Sequence, residues 1–162
     1  MKKLLTLLLS LLFVTATFAQ KRDITLEDLW QNHTFSPSYI RGFNSMNDGK
    51  HYSTMERADN IQEIIKHQFK NGKKVRTLFS STEFEIPRIN GYTFSDDEKQ
   101  LLLKTETEKI YRHSSKSVYY IYNIFTDKLK KLTDDKVMYA AFSPNGKKVA
   151  YVFENNIYIK NI

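Results

Sequence analysis

Residues 143–153 read Ser-Pro-Asn-Gly-Lys-Lys-Val-Ala-Tyr-Val-Phe, a polar turn that leads directly into an apolar run. A polar turn that leads into a strand-like run occurs twice earlier, from residues 47–50 into 51–55 and from residues 95–99 into 100–104. When the turns are aligned, Gly49, Glu98 and Gly146 are equivalent and lie 49 and 48 residues apart. Two nearly equal intervals indicate a structural repeat. A polar turn before a strand is common in any all-β domain, so chance is the competing explanation.

Tyr- and Ile-rich runs follow the second and third turns, at residues 118–124 and 156–162, and they alternate with the two-residue period of β-strands. A repeat of about 40–50 residues that contains only strands and turns is typical of β-propeller blades, each a four-stranded antiparallel sheet. Residues 20–162 have room for about three blades, whereas closed propellers typically need four to eight. The sequence therefore predicts an all-β fold, an incomplete β-propeller that forms the beginning of a longer protein.

Helical signals are confined to the start of the chain. Thr25 precedes Leu-Glu-Asp-Leu-Trp at residues 26–30, so it can act as the N-cap, with acidic residues in the first turn. We expect a short lead-in helix here that is not part of the core.

Composition excludes several classes of function. The 162 residues contain no cysteine, so disulfide scaffolds, thiolate zinc sites and cysteine nucleophiles are excluded. The four histidines are never three or four residues apart, and glycine-rich phosphate loops are absent; we therefore expect no metal and no cofactor. The 25 basic residues exceed the 18 acidic ones, but they are spread along the chain, mostly beside turns. Nucleic acid is therefore not an expected partner.

The first 19 residues have the features of a secretory signal peptide. Lys2 and Lys3 precede an apolar run of about 11 residues, and Thr17 and Ala19 fit a cleavage site before Gln20. The run is too short for a spanning helix, which needs about 20 residues, and no cysteine follows it for a lipid anchor. We expect a secreted or periplasmic protein without a stable membrane anchor, its mature domain at residues 20–162. A retained short anchor is the alternative.

Several stretches together resemble the N-terminal part of bacterial dipeptidyl peptidase IV enzymes, which belong to the prolyl oligopeptidase family of serine peptidases. The opening Leu-Glu-Asp-Leu-Trp and the segment Tyr-Arg-His-Ser at 111–114 are the most specific, while Ser-Pro-Asn-Gly turns occur in many propellers. The resembling stretches are residues 24–30, 35–37, 42–52, 111–114 and 142–152.

The resemblance implies an eight-bladed propeller followed by an α/β-hydrolase domain, with peptide substrates bound between them. Such enzymes release N-terminal dipeptides that have Pro or Ala at the second position, and they are often homodimers. This sequence has no Gly-x-Ser-x-Gly nucleophile elbow and no Glu-Glu pair of the kind that holds the substrate amino group in the family. We therefore expect the chain to be inactive as a peptidase by itself, with no catalytic residue of its own.

One functional residue is implied by the resemblance. Arg112 matches the propeller arginine that donates hydrogen bonds to a backbone carbonyl of the substrate, and a planar, permanently charged guanidinium suits that role. A surface arginine on a hairpin is the alternative explanation for Arg112. For the whole chain, the alternative function is a freestanding secreted propeller-like binding protein without hydrolytic activity.

Overall fold

The computed structural model describes residues 23–162, and the predicted signal peptide at residues 1–19 lies outside this range. The chain divides into two units, and residues 23–39 are the described part of the first. They contain helix α1, Leu26–Trp30. The Asp28 N–H donates to Thr25 Oγ1 at 3.1 Å, and the Thr25 N–H donates to the Asp28 carboxylate at 3.4 Å. This reciprocal capping box satisfies donors of the first turn, and the predicted helix start at Thr25 is confirmed.

The second unit, residues 40–162, consists of three antiparallel sheets. The chain enters each sheet at one edge and crosses it strand by strand, so that every pairing joins consecutive strands. The first sheet contains β1 (Asn44–Ser45), β2 (His51–Ala58), β3 (Ile61–Gln68) and β4 (Lys74–Ser80); the second contains β5 (Ile89–Phe94), β6 (Gln100–Tyr111), β7 (Ser114–Asn123) and β8 (Lys128–Lys131); the third contains β9 (Met138–Phe142), β10 (Lys148–Phe153) and β11 (Asn156–Asn161). A 3₁₀ turn at Ser81–Glu83 follows the first sheet.

The three aligned turns connect the first and second strands of each sheet and share one geometry. In each, the backbone N–H of Gly49, Glu98 or Gly146 donates to the carbonyl three residues earlier, at 3.1, 2.8 and 2.8 Å. All three residues have a positive φ, of 63°, 55° and 65°. The lysine that follows donates its N–H to the Asp or Asn side chain two residues before it, at 2.9, 3.2 and 3.1 Å. The repeat inferred from spacing is therefore a repeat of structure.

Neighbouring turns are joined across the sheets. The Asn47 N–H donates to the Glu98 carboxylate at 2.6 Å, which links the first sheet to the second. Gln100 Nε2 donates to the Gly146 carbonyl at 2.9 Å, which links the second sheet to the third. Contacts between adjacent turns hold the corresponding ends of the sheets in register.

The hydrophobic core lies in two layers between the sheets. Leu101 and Leu103 on β6 pack in the layer between the first and second sheets, together with Ile64, Phe79 and other buried side chains. Leu102, between them in sequence, packs in the layer between the second and third sheets. Because side chains alternate along a strand, a strand buried on both faces has a continuous apolar run, here Leu-Leu-Leu.

The prediction of an all-β, propeller-type fold with antiparallel sheets is confirmed. Within residues 23–162 the third sheet has three strands, whereas the propeller prediction expects four in each blade. Among residues 23–162, no helix has the length and apolar character needed to cross a membrane.

Candidate functional site

The hairpin formed by β6 and β7 extends beyond the rest of its sheet. β5 pairs with β6 only as far as Thr105, and β8 pairs with β7 only from Tyr120 onward. Past these points the two strands pair with each other, up to Tyr111 opposite Ser114. Arg112, the predicted binding residue, therefore lies in the turn at the tip of a projecting two-stranded ribbon.

The ribbon is irregular near its base and near its tip. Its register shifts between Thr105 and Glu108 and again between Lys109 and Tyr111. Glu106, in the first irregular stretch, has a φ of 46°, in the left-handed region. Bulges of this kind bend a strand and increase its twist, so they change the direction in which the turn projects.

Hydrogen bonds brace the ribbon against the start of the third sheet. The backbones of Ser117 and Val137 exchange two hydrogen bonds, both 2.9 Å long. The Ser117 side chain, which is fully buried, also donates to Thr107 Oγ1 at 3.0 Å across the ribbon. Closer to the tip, the hydroxyls of Ser114 and Tyr139 are 3.2 Å apart. Although the ribbon projects from its sheet, hydrogen bonds hold it at its base and again at Ser114, which is two residues from Arg112.

Glu108 links the two strands of the ribbon to the segment that precedes β9. Its carboxylate lies 3.1 Å from Lys116 Nζ on β7 and 3.4 Å from Lys136 Nζ. The hydrogen bond from Lys116 is the main cause that lowers the pKa of Glu108 below its ordinary value. All three side chains contact solvent, so the pairs orient the ribbon more than they stabilise it.

Arg112 is exposed, and its side chain has no hydrogen-bond acceptor or carboxylate partner within residues 23–162. Its five N–H donors are therefore free to bind an external acceptor. Tyr111 and His113 on either side are also exposed. Because His113 has no carboxylate or nucleophile bonded to it in the described part of the chain, the arrangement suits binding rather than proton transfer.

Metal-ligating groups do not converge in the described part of the chain: residues 23–162 contain no cluster of three or more His, Asp or Glu side chains that could hold an ion.

Comparison with known proteins gives one consistent result. The family model for the dipeptidyl peptidase IV (DPP IV) N-terminal region matches residues 95–162. Prolyl endopeptidase FAP of Homo sapiens is 30% identical over 141 residues, which cover 86% of this chain and 18% of that protein. Dipeptidyl peptidase 4 of Felis catus is 29% identical over 145 residues, which cover 87% and 18%. The crystal structure of Porphyromonas gingivalis dipeptidyl peptidase 4 superposes with a TM-score of 0.73 at 36% identity.

The chain is a dipeptidyl peptidase IV-like N-terminal region. The resemblance read from the sequence is thereby confirmed. The superposition covers 87% of this chain but 20% of the Porphyromonas gingivalis protein, so the chain spans about a fifth of the length of the relatives it matches.

Within this dipeptidyl peptidase IV-like region, the sequence identified the tip of the ribbon but not the residues that hold it. The Glu108–Lys116 pair could have been found, since a turn at Arg112 and His113 makes these residues near cross-strand neighbours. The hydrogen bonds from the ribbon to Val137 and Tyr139 could not have been predicted, because they join it to β9 and the residue before it, in a different part of the fold. The role of Arg112 in binding substrate remains a prediction.

Proposed function

We propose that this chain is the substrate-binding propeller portion of an exported dipeptidyl peptidase IV-like serine peptidase. The parent protein releases N-terminal dipeptides with Pro or Ala at the second position. Its nucleophile belongs to an α/β-hydrolase domain outside residues 1–162. In this proposal, Arg112 donates hydrogen bonds to a backbone carbonyl of the bound peptide.

The observation that carries the proposal is the state of Arg112. Its guanidinium is exposed at the end of a braced ribbon and has no internal partner in the described residues. A structural arginine is usually paired or packed, whereas an arginine that serves a ligand must keep its donors available. Bracing lowers the entropic cost of positioning those donors, because the ribbon is ordered before the peptide arrives.

Export is supported by the sequence of residues 1–19, with cleavage before Gln20. In this proposal the parent protein acts on peptides through a hydrolase domain and forms a homodimer, as the resemblance to the family implies.

The test is kinetic and uses the full-length protein encoded at the genomic locus. Wild type and Arg112→Ala are compared on a Gly-Pro chromogenic substrate and on longer Xaa-Pro peptides. We expect the variant to raise KM more than it lowers kcat, since a bond made equally in the ground and transition states contributes to binding rather than to the chemical step. An unchanged KM with reduced kcat would contradict the proposed role.

The alternative, a freestanding secreted binding protein, makes a different prediction for the same locus. It requires that no hydrolase domain with a Gly-x-Ser-x-Gly elbow is encoded beyond codon 162. Sequencing of that region distinguishes the two: a continuous frame, or a frame one nucleotide away, that encodes the elbow supports the peptidase. A stop codon with no such remnant supports the binding protein.

A further inference from the structure

Three arginines line one cavity beside the start of β5, although they are far apart in sequence. The cavity has a volume of about 270 Å³. Arg41 comes from the segment before β1, Arg57 from the end of β2, and Arg88 from the residue immediately before β5. Arg112 is not among the residues that line it, so this feature is separate from the proposed peptide-binding residue.

Among residues 23–162, no carboxylate lines the cavity, and the remaining polar lining residues are the amides Gln62 and Asn90. Within residues 23–162, none of the three guanidinium groups has a hydrogen-bond or ion-pair partner. Loss of solvation, followed by the positive charges of Arg88 and Arg41, lowers the pKa of Arg57. Three cations therefore repel one another across a shared space, and the described part of the chain places no counter-charge in it.

The walls of the cavity are held firmly. The Gln62 side chain donates to the Ile89 carbonyl at 2.9 Å and accepts from the Ile89 N–H at 2.7 Å, which fixes the backbone next to Arg88. The N–H of Met55, on β2, donates to the Arg41 carbonyl at 2.8 Å, which fixes the backbone of Arg41 against that strand. The arginine backbones are thus positioned by the fold, while their side chains face an open space.

Gly42 shows how closely the cavity wall is packed. A Cβ at this position would lie 2.8 Å from the Tyr92 ring and 2.9 Å from Met55 Cβ, closer than real side chains approach. Tyr92 also donates its hydroxyl hydrogen to the Gly42 carbonyl. This close packing and the hydrogen bond from Tyr92 position the backbone of Gly42, and with it that of the neighbouring Arg41.

Asn90 adds a further donor. Its Oδ1 accepts a hydrogen bond from the Thr107 N–H at 3.2 Å, which directs the amide group and leaves its NH₂ available for a ligand. A second cavity of about 300 Å³ shares Arg57, Gln62 and Arg88 with the first. A ligand larger than a single anion could therefore extend from one cavity into the other.

We propose that Arg41, Arg57 and Arg88 form a binding site for a tetrahedral oxyanion of the phosphate or sulfate type. Guanidinium groups bind such anions through paired N–H donors. A tetrahedral anion presents four acceptor oxygens to the three guanidinium groups, whereas a carboxylate presents two. A doubly charged anion also offsets more of the mutual repulsion than a single carboxylate does. The anion is either free or the headgroup of a small phosphate monoester, which would use the adjoining cavity.

Equilibrium dialysis of radiolabelled inorganic phosphate against the full chain, at constant ionic strength, tests the proposal directly. We expect saturable binding of a single phosphate per chain, with competition by sulfate but not by chloride or acetate. Competition by phosphoserine that is stronger than that by phosphate would identify a monoester as the ligand. Equal competition would identify the free anion.

Matched variants localise the site. Arg57→Gln and Arg88→Gln should each weaken phosphate binding about tenfold or more, the effect of losing a charge-assisted hydrogen-bonding partner. Arg57→Lys keeps the charge but loses the fork and should give an intermediate loss. Arg76→Gln removes an exposed arginine that does not line this cavity and should change the affinity less than about twofold.

Two results would overturn the proposal. The first is the absence of saturable phosphate binding by a chain whose circular dichroism shows folded β-structure. The second is an equal loss of affinity in Arg76→Gln and Arg57→Gln, which would mean that net charge alone attracts the anion. Neither result bears on Arg112, whose test measures peptide kinetics.

Discussion

The side chain of Gln62 on β3 binds the backbone of Ile89 as a neighbouring strand would. Its amide donates to the Ile89 carbonyl and accepts from the Ile89 N–H, at 2.9 and 2.7 Å. Both residues are buried, with 5% and 1% of their surfaces exposed. The first and second sheets are therefore joined by a pair of hydrogen bonds at the point where β5 begins.

Replacement of Gln62 should consequently destabilise the protein. Gln62→Leu keeps a similar volume but leaves the Ile89 N–H and carbonyl buried without partners, at a cost of about 2–4 kcal/mol in the free energy of unfolding. Urea denaturation of the full chain measures this. Gln68→Leu, at an exposed position on the same strand, is the control and should change stability by less than about 0.5 kcal/mol. Equal effects in the two variants would contradict the linking role.

The third of the aligned turns favours glycine, because its backbone is in the left-handed region at Gly146. Gly146 has a φ of 65°, and an added Cβ would lie no closer than 3.5 Å to any atom, so its constraint comes from the backbone and not from crowding. Gly146→Ala should cost about 1–2 kcal/mol. Gly91 on β5 lacks a positive φ and has open space around it, so Gly91→Ala should be neutral or stabilising by about 0.4–1 kcal/mol. Thermal melts of both variants test the contrast, and similar melting temperatures would refute it.

Buried tyrosines should make the protein sensitive to alkaline pH. Burial raises the pKa values of Tyr92, Tyr119 and Tyr122 above the ordinary value of 10.0, and for Tyr122 the hydrogen bond to Asp127 raises it further. The folded state therefore holds these protons more tightly than the unfolded state. Their stabilising contribution is complete below pH 10 and is lost as the pH rises through the folded-state pKa values.

Tyr122→Phe should reduce the loss of stability between about pH 9 and pH 11, since it removes one hydroxyl with a raised pKa and retains the packing of the ring. Tyr39→Phe, at a tyrosine that is 82% exposed, should leave that pH dependence unchanged. Urea denaturation at the two pH values measures both. If the change in the free energy of unfolding between the two pH values is the same in Tyr122→Phe as in the wild type, the alkaline sensitivity has another source.

The chain by itself should show no peptidase activity, because binding groups without a nucleophile cannot form an acyl-enzyme. A Gly-Pro chromogenic assay on the purified chain should give no turnover above background. Turnover that a serine-directed inhibitor abolishes would contradict this expectation.

In the full-length protein, Lys109→Ala is a suitable control for Arg112→Ala, since Lys109 is exposed on the same ribbon and makes no side-chain bond in the described residues.

The exposed apolar side chains of β11 should promote association of the chain in solution. Ile157 and Ile159 are 77% and 68% exposed, and β11 pairs with β10 along one edge only within the described residues. Unpaired apolar strands are sites of association between chains. The double variant Ile157→Lys, Ile159→Lys should lower the average mass in sedimentation velocity. Phe125→Lys, at a turn residue that is 65% exposed, should lower it less. A monodisperse monomer of the wild type would refute the prediction.

Much of the fold could be predicted because its signals are local. The runs at residues 148–153 and 100–104 lie within β10 and β6, and the start of α1 at Thr25 follows from a cap and acidic residues next to one another in sequence. Even the equivalence of Glu98 with two glycines was visible from spacing, although glutamate is not a residue that favours a positive φ. The position of Arg112 at a hairpin tip follows from the same kind of local pattern.

Local patterns were enough to predict the three aligned turns and the strands that follow them, since each pattern lies within a few consecutive residues. The spacing of these turns predicted the propeller-type repeat, and short motifs carried the resemblance to the family. The contacts between residues far apart in sequence became known from the three-dimensional structure alone. The Gln62 side chain bonds the backbone of Ile89, and the backbones of Ser117 and Val137 bond each other. Arg41, Arg57 and Arg88 line one cavity. These groupings depend on how the sheets stack, and stacking depends on two buried apolar layers that no short stretch of sequence contains.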